Sequence, residues 1–360
     1  VVNGVIAGVA GTVVFLPQIC LLFFLISLLE DTGYLARAAY VMDRIMRKFG
    51  LPGQAFVPML SAHACAIPAI MSTRLIPDRR DRLATILVTP FLTCSARIPV
   101  YVLLIGLLFA GRPFVSGLAF AGCYLLGAVA AMVSAWAARR TLLKGPTRSF
   151  VLELPPYRMP SVRTALLTTW DRSLVFLKKA GTVILAICIV LWWLGAYPIV
   201  DPPDEAVALQ EQAAAVAAAA PERAVELEAE AESLIAQHAS RESFMGHIGR
   251  TVQPIFAPMG SDWQLSVGIM SSLLAREVFV STMAVVISGS EPEEEGALRE
   301  QIMSAERPDG TPVFTTSTAA ALLVYYVLAM QCLPTLAVTR RETGSWWWAA
   351  LQLGWMTGLA

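Results

Sequence analysis

Only four lysines and three histidines occur in the 360 residues, and charged side chains of all kinds make up 15% of them. A soluble domain carries about 25%. The 27 basic and 27 acidic residues cancel to a formal net charge of zero. None of the lysines (Lys48, Lys144, Lys178, Lys179) sits in a G-x-x-x-x-G-K-[ST] loop, so the chain cannot hydrolyse a nucleotide by that route. No G-x-S-x-G stands behind a hydrolase reading, and no basic–aromatic stripe points to nucleic acid. No two of the six cysteines form a C-x-x-C pair, which argues against a zinc ribbon or a redox motif. All six lie in apolar stretches, which argues against a secreted disulfide framework. There is no initiator methionine, basic n-region or small-residue cleavage site. The chain starts just before one apolar run and stops inside another, as a piece cut from a longer protein would.

What is abundant is apolar surface: 56% hydrophobic residues and a mean hydropathy of +0.61. Several runs approach or exceed the roughly 20 apolar residues that cross a bilayer. The fold class expected is an all-α integral membrane protein, a polytopic helical bundle. Composition shifts divide it into a first membrane half (1–138), a basic cytoplasmic loop (139–170), a membrane helix (171–200), an acidic helical insertion outside the membrane (201–247), a second apolar segment (248–288), an acidic loop (289–312) and C-terminal membrane helices (313–360), the last incomplete.

Val5–Leu29 reads as a membrane helix and Tyr34–Phe49 as an amphipathic helix on the cytoplasmic face, with Arg37, Arg44, Arg47 and Lys48 along one side. The apolar stretch Gly53–Thr73 has basic clusters on both flanks, so both its ends belong inside and the segment should be re-entrant. Residues 248–288 have acidic flanks and mirror it from outside. At an offset of 210 residues Gly50, Gln54, Val57 and Ser61 meet Gly260, Gln264, Val267 and Ser271. Inverted repeats whose discontinuous helices meet at the midplane are a recurring transporter plan.

Candidate site residues cluster at prolines. Cys65 lies between Pro58 and Pro68, Cys94 between Pro90 and Pro99, and Cys332 two residues before Pro334. Broken backbone at membrane depth is tolerated only where protein or a water-filled cavity satisfies it, and thiolates select soft or borderline metals. Met59 and Met71, six residues either side of Cys65, would extend a soft lining or serve as core. His63 falls on a different face from Cys65 if the helix is regular, as a hydrogen-bonded core residue or part of the path lining. Cys20, Cys123 and Cys188 read as packing residues. Glu277, ionisable in mid-membrane, is a functional candidate by default. Arg97 is either its partner from another segment or purely structural.

The segments LPQICLLFFLISLLEDTGYLARAAYVMDRIMRKFGLPGQAFVPML, ACAIPAIMSTR, TCSARIPVY, IGRTVQPIFAPMGSDWQ, LLAREVFVSTM and CLPTLAVTRRETGSW together resemble the membrane (gate) domain of the ferrous iron transport protein B family, in the family's order. The resemblance implies a multi-pass importer of the bacterial inner membrane with two related gate segments. Fe(II) is its transported substrate, and no cofactor is held permanently. It places the family's gate cysteines on Cys65 and Cys94, a further family cysteine on Cys332 and the second gate's glutamate on Glu277. GTP and Mg would enter only through an N-terminal GTP-binding domain that precedes Val1 in complete members. Small cytoplasmic iron-transport accessory proteins and a second copy of the chain are further implied partners, beside the lipid bilayer. The family pattern before the first gate cysteine contains glycine and phenylalanine; here it is SAHAC. The chain itself reads as no enzyme. Another divalent metal, a nucleoside-like solute and a non-transporting scaffold stay open as alternatives.

Overall fold

The computed structural model describes residues 17, 20–21, 23–145, 156–198, 200–216, 221–274, 276, 278–288 and 313–360. Among them every regular element is helical. In chain order the α-helices are α1 (Tyr34–Met46), α2 (Phe56–Ala62), α3 (Ala66–Ser72), α4 (Arg79–Val88), α5 (Ile98–Leu108), α6 (Pro113–Thr141), α7 (Val162–Phe176), α8 (Thr182–Ala196), α9 (Asp204–Val216), α10 (Pro221–Glu242), α11 (Phe244–Phe256), α12 (Trp263–Leu274), α13 (Val278–Ser288), α14 (Thr316–Leu328), α15 (Leu333–Thr343) and α16 (Trp346–Leu359). Three stretches of the described residues are long and apolar enough to cross a membrane: Arg79–Leu108, Pro113–Thr141 and Thr316–Thr343. The expected helix Val5–Leu29 falls largely outside the described residues, although 23–31 is helical, and the acidic loop 289–312 lies wholly outside them.

The chain forms two compact units. The larger comprises Val2–Ile98, Pro113–Ala186 and Val324–Ala360; the smaller includes Pro99–Arg112 and Ile187–Leu323. In the larger unit α2 and α3 pack against each other as a hairpin. Each has seven residues, about 10 Å of helix, far short of the roughly 30 Å of a hydrocarbon core. Helices so short do not persist alone. They are held by a core that includes Leu51, Met59, Ala84, Phe91, Ala135 and Met356.

The ends of this unit's segments are tied together by charge. Glu342 receives Arg74 Nη2 at 2.5 Å and Arg82 Nη2 at 2.7 Å, and its carboxylate holds the Arg74 guanidinium above its ordinary pKa. Asp81 Oδ1 lies 2.7 Å from Arg139 Nη2. Asp43 Oδ1 accepts from Gly53 N (2.8 Å). Gly50 is left-handed (φ 78°), and a Cβ there would meet the Arg139 side chain. The basic clusters at 74–82, 139–140 and 340–341 therefore gather at one end, and both flanks of residues 53–73 lie there.

Residues 162–170, expected as loop, are helix. Pro156 and Pro160 precede it, and Ser161 Oγ caps it by accepting from Thr164 N (3.3 Å). It continues through a π-turn at Leu177–Gly181 into α8. In the smaller unit α9 and α10 pack against each other, with Ala206, Ala213, Ala224 and Ala231 buried. Alanines let two helices approach closely with little side-chain entropy lost. The pair does not stand clear of its unit, because α10 also packs on α13.

The element boundaries repeat the sequence offset. α1 and a 3₁₀ turn at Arg47–Phe49 end on left-handed Gly50; α11 and a 3₁₀ turn at Ala257–Met259 end on left-handed Gly260 (φ 75°). Each boundary is displaced by 210 residues, and Leu35, Ala39 and Met46 are buried as Met245, Gly249 and Phe256 are.

Candidate functional site

Cys65, Cys94 and Cys332 share one local geometry. Each is an extended residue where a helix has stopped and the next begins: Cys65 (φ −153°, ψ 134°) opens α3, Cys94 (φ −97°, ψ 166°) opens the 3₁₀ turn Ser95–Arg97 before α5, and Cys332 (φ −160°, ψ 95°) opens α15. None is sealed in the core. The prolines do not kink helix interiors. Pro58, Pro68, Pro99 and Pro334 sit in the first turns of α2, α3, α5 and α15, where a missing N–H costs least. The interruption precedes each of these prolines, and at three of them it falls on the cysteine side.

The breaks in the first two segments are joined. Ala64 O accepts from both Ser95 N (3.3 Å) and Ser95 Oγ (2.9 Å), and His63 Nδ1 lies 3.1 Å from Thr93 O. Ala64 adjoins Cys65, and Thr93 and Ser95 bracket Cys94. The third cysteine's half-helix reaches the first: α15 packs on α3, and Cys65 shares a cluster with Phe23, Ile67, Met71 and Val338. Thr335 Oγ1 donates to Cys332 Sγ (3.0 Å). Among the described residues no group of three or more His, Cys, Asp or Glu side chains is placed to hold one metal ion. The cysteines line neighbouring breaks without forming a closed cage.

His63 was expected on a regular helix, where it would face away from Cys65. The helix stops at Ala62, so helical faces do not apply there. A carbonyl oxygen can only accept, so Nδ1 carries the proton in the bond to Thr93, and in the neutral ring Nε2 holds the lone pair. The ring stacks on Tyr124 (centroids 5.9 Å apart, planes at 16°). Met71 joins the Cys65 cluster, whereas Met59 is 5% exposed within the main core. Cys20 Sγ contacts Ser173 Oγ (3.1 Å), and Cys123 is buried packing as expected. The side chain of Cys188 and all of Glu277 lie outside the described residues.

Prolines leave the carbonyls four residues before them without a helical donor. Around Pro90 they are already engaged. Pro90 has no N–H to offer Ile86 O, and Gln352 Nε2 takes that role (2.8 Å) and reaches Leu87 O (3.3 Å), while Thr339 Oγ1 holds the Gln352 oxygen (2.8 Å). Arg97, 0% exposed, donates from Nη2 to Pro90 O (2.9 Å) and from Nη1 to Phe91 O (2.9 Å) and Leu92 O (3.3 Å). Both amino groups of Arg97 are thus turned onto its own break. Gln352 was missed; its only signal was a single amide in an apolar helix.

The third wall of this break is α6, whose backbone comes close at Gly127. A Cβ there would stand 2.8 Å from Phe91 O. Gly127→Ala is expected to cost about 1–3 kcal/mol, read as a lowered melting temperature of the purified chain. Gly122→Ala, with open space around it, is the control and should be neutral or gain up to about 1 kcal/mol.

Comparison with known proteins gives the family. The family profile described as "Gate: Nucleoside recognition" matches residues 12–108 and 177–346, and one described as "Ferrous iron transport protein B C terminus" matches 120–172, between the two parts of the first. The chain is 40% identical over 363 residues to the Fe(2+) transporter FeoB of Leptospira interrogans, covering 99% of this chain and 49% of that protein. It is 37% identical over 348 residues to that of Helicobacter pylori (95% and 52%). A Porphyromonas gingivalis relative named as a fusion of Fe(2+) transport protein A with the transporter is 38% identical over 363 residues (100% and 43%). The chain spans about half the length of the curated relatives it matches. No solved structure matches it. With the gate profile over most of its length and the second profile in the intervening stretch, this chain belongs to the ferrous iron transport protein B family, whose membrane portion it matches.

Proposed function

We propose that this chain is the permease portion of a bacterial inner-membrane importer of Fe(II). The observation that carries the reading is the shared placement of Cys65, Cys94 and Cys332 at helix breaks, the first two of which are joined by Ser95 donating to Ala64 O, in a chain about 40% identical to proteins named Fe(2+) transporters. Soft ligands offered one or two at a time suit conduction, because a complete cage would trap the ion. Cys65 and Cys94 act as the paired entry ligands, with Cys332 next along the path. Met71, packed in the Cys65 cluster, and His63, two residues from Cys65, are the assisting candidates, and Met59 is left to the core. Glu277 supplies negative charge, on the argument that an ionisable side chain in mid-membrane is costly without a role.

The two gate segments are re-entrant, with α2–α3 entering from the cytoplasmic side, where the basic clusters gather. The boundaries repeated at 210 residues support a common ancestry for α1–α3 and α11–α13, in the inverted arrangement of discontinuous-helix transporters. A GTP-binding domain and an accessory of the kind fused in the Porphyromonas gingivalis relative are the partners of the complete protein.

The test is Fe(II) uptake into iron-starved cells carrying the full-length protein. Cys65→Ser and Cys94→Ser, isosteric but harder as ligands, are each expected to lower uptake about 10-fold or more at unchanged protein level, about 1.4 kcal/mol; Glu277→Gln is expected to lower it too. Undiminished uptake in all three would sink this path. Undiminished iron uptake in Cys65→Ser alone would remove that residue from it. Competition by a nucleoside in place of iron would favour the solute named in the gate profile.

A further inference from the structure

We propose that the larger unit carries a binding site for an anionic phospholipid, with an acyl chain in an apolar cavity and the phosphate among Arg74, Arg172 and Arg341. The cavity encloses about 580 Å³, within the range of small-ligand sites. Its walls come from α3 and α15 and from the helical residues Phe23 and Ile26. Ile67, Met71, Leu75 and Val338 make them almost entirely apolar. The two hydroxyls on the wall are turned to their own backbone: Ser61 Oγ donates to Val57 O (2.9 Å) and Ser72 Oγ to Ala69 O (2.8 Å). A ferrous ion shedding water there would find only two hydroxyl oxygens on the apolar walls, and burying a charge with so few partners is costly. A hydrocarbon chain meets no such penalty.

The mouth has the opposite preference. Arg74, Arg172 and Arg341 line it with Asp171 and Glu342. Glu342 is already taken, since Oε1 accepts from Arg74 and Oε2 from both Arg74 (2.8 Å) and Arg82 (2.7 Å). Arg172 makes a loose 3.4 Å contact with Glu30, both about half exposed. Among the described residues the Arg341 side chain makes no hydrogen bond or ion pair. Asp171 offsets part of this charge, and the rim keeps a positive surplus. An apolar slot with a cationic rim fits a phosphodiester head on an acyl tail. The rim lies where the unit's basic clusters gather, the cytoplasmic side by the positive-inside rule, so the lipid comes from the inner leaflet, whose anionic lipids such rims attract. α3 and α15 begin immediately after Cys65 and Cys332, so an acyl chain between them would bear on where both cysteines stand. The site itself rests on the membrane assignment and not on the transported ion.

The test is native mass spectrometry of the full chain in a neutral detergent with equimolar phosphatidylglycerol and phosphatidylcholine. Phosphatidylglycerol should be retained at least about 5-fold in preference, and Arg341→Gln should reduce that preference about 5-fold, the effect of one surface arginine. Ala337→Trp, from an exposed wall position, should abolish retention of both lipids while helical content is kept. Equal retention of the two lipids by the wild type, or unchanged retention by a folded Ala337→Trp, overturns the proposal. Should Ala337→Trp misfold, the exposed pair Arg172→Gln/Arg341→Gln decides: an unchanged preference for phosphatidylglycerol overturns it, and a lost one upholds it.

Discussion

Replacing Arg97 by methionine is expected to lower the stability of the purified chain by about 3–5 kcal/mol. Arg97 is fully buried and its two amino groups cover the carbonyls of Pro90, Phe91 and Leu92. Methionine fills much of the volume and removes the cost of burying a charge, but leaves three carbonyls that water cannot reach easily, each worth about 1–3 kcal/mol when unsatisfied. Lysine is not a conservative substitute: a compact ammonium cannot span three successive carbonyls as the planar guanidinium does. Arg97→Lys should fall between wild type and Arg97→Met. Thermal unfolding in detergent, beside the amount of protein recovered from membranes, checks the order. A change within about 0.5 kcal/mol for Arg97→Met would show that the break does not depend on this cap. The consequence for transport is indirect, because Cys94 O accepts from Arg97 N (3.0 Å) and the cysteine's position depends on the same turn.

Breaking the ion pair of Asp81 and Arg139 should cost nearly as much. The side chains are 6% and 7% exposed and 2.7 Å apart. Asp81→Asn would leave a buried guanidinium without its countercharge, a loss of about 3–5 kcal/mol, whereas the double change Asp81→Leu/Arg139→Met should be within about 1–2 kcal/mol of wild type or better, because desolvating the pair was itself costly. The same operation on Arg250 and Glu242, 3.4 Å apart and about a third exposed, should change stability by no more than about 0.5 kcal/mol. A melting series of the four variants separates the cases. Equal effects at Asp81 and Glu242 would mean that the inner pair is solvated after all. The pair also ties the start of α4 to the end of α6, next to Gly50, and so fixes the base on which the α2–α3 hairpin stands.

Much of this architecture was legible beforehand. Apolar runs marked the membrane class, and the prolines beside Cys65, Cys94 and Cys332 marked the places where helices would stop, since a proline takes a donor from the backbone wherever the chain folds. The basic clusters marked one common end. Other features were hidden. The helix from Val162 was lost in a basic, proline-containing stretch, where the capping Ser161 was the only start signal. Helical spacing does not say where His63 faces, because the helix stops at Ala62. The donors that cover the carbonyls of the Pro90 break are equally hidden: only Arg97 lies near them in sequence, and Gln352 is 266 residues from Ile86.

The shared property of the three cysteines, each extended immediately before a helix or helical turn resumes, lies between these extremes. By itself the sequence determined that the chain breaks at these points, because the missing donor and the restricted φ of proline are local and travel with the residue. Only the tertiary structure decided what closes each break, whether Ser95 on Ala64, Gln352 on Ile86 or Arg97 on its own turn. A freed carbonyl accepts any donor the packing brings within about 3 Å, and which donor that is depends on how distant segments fold together.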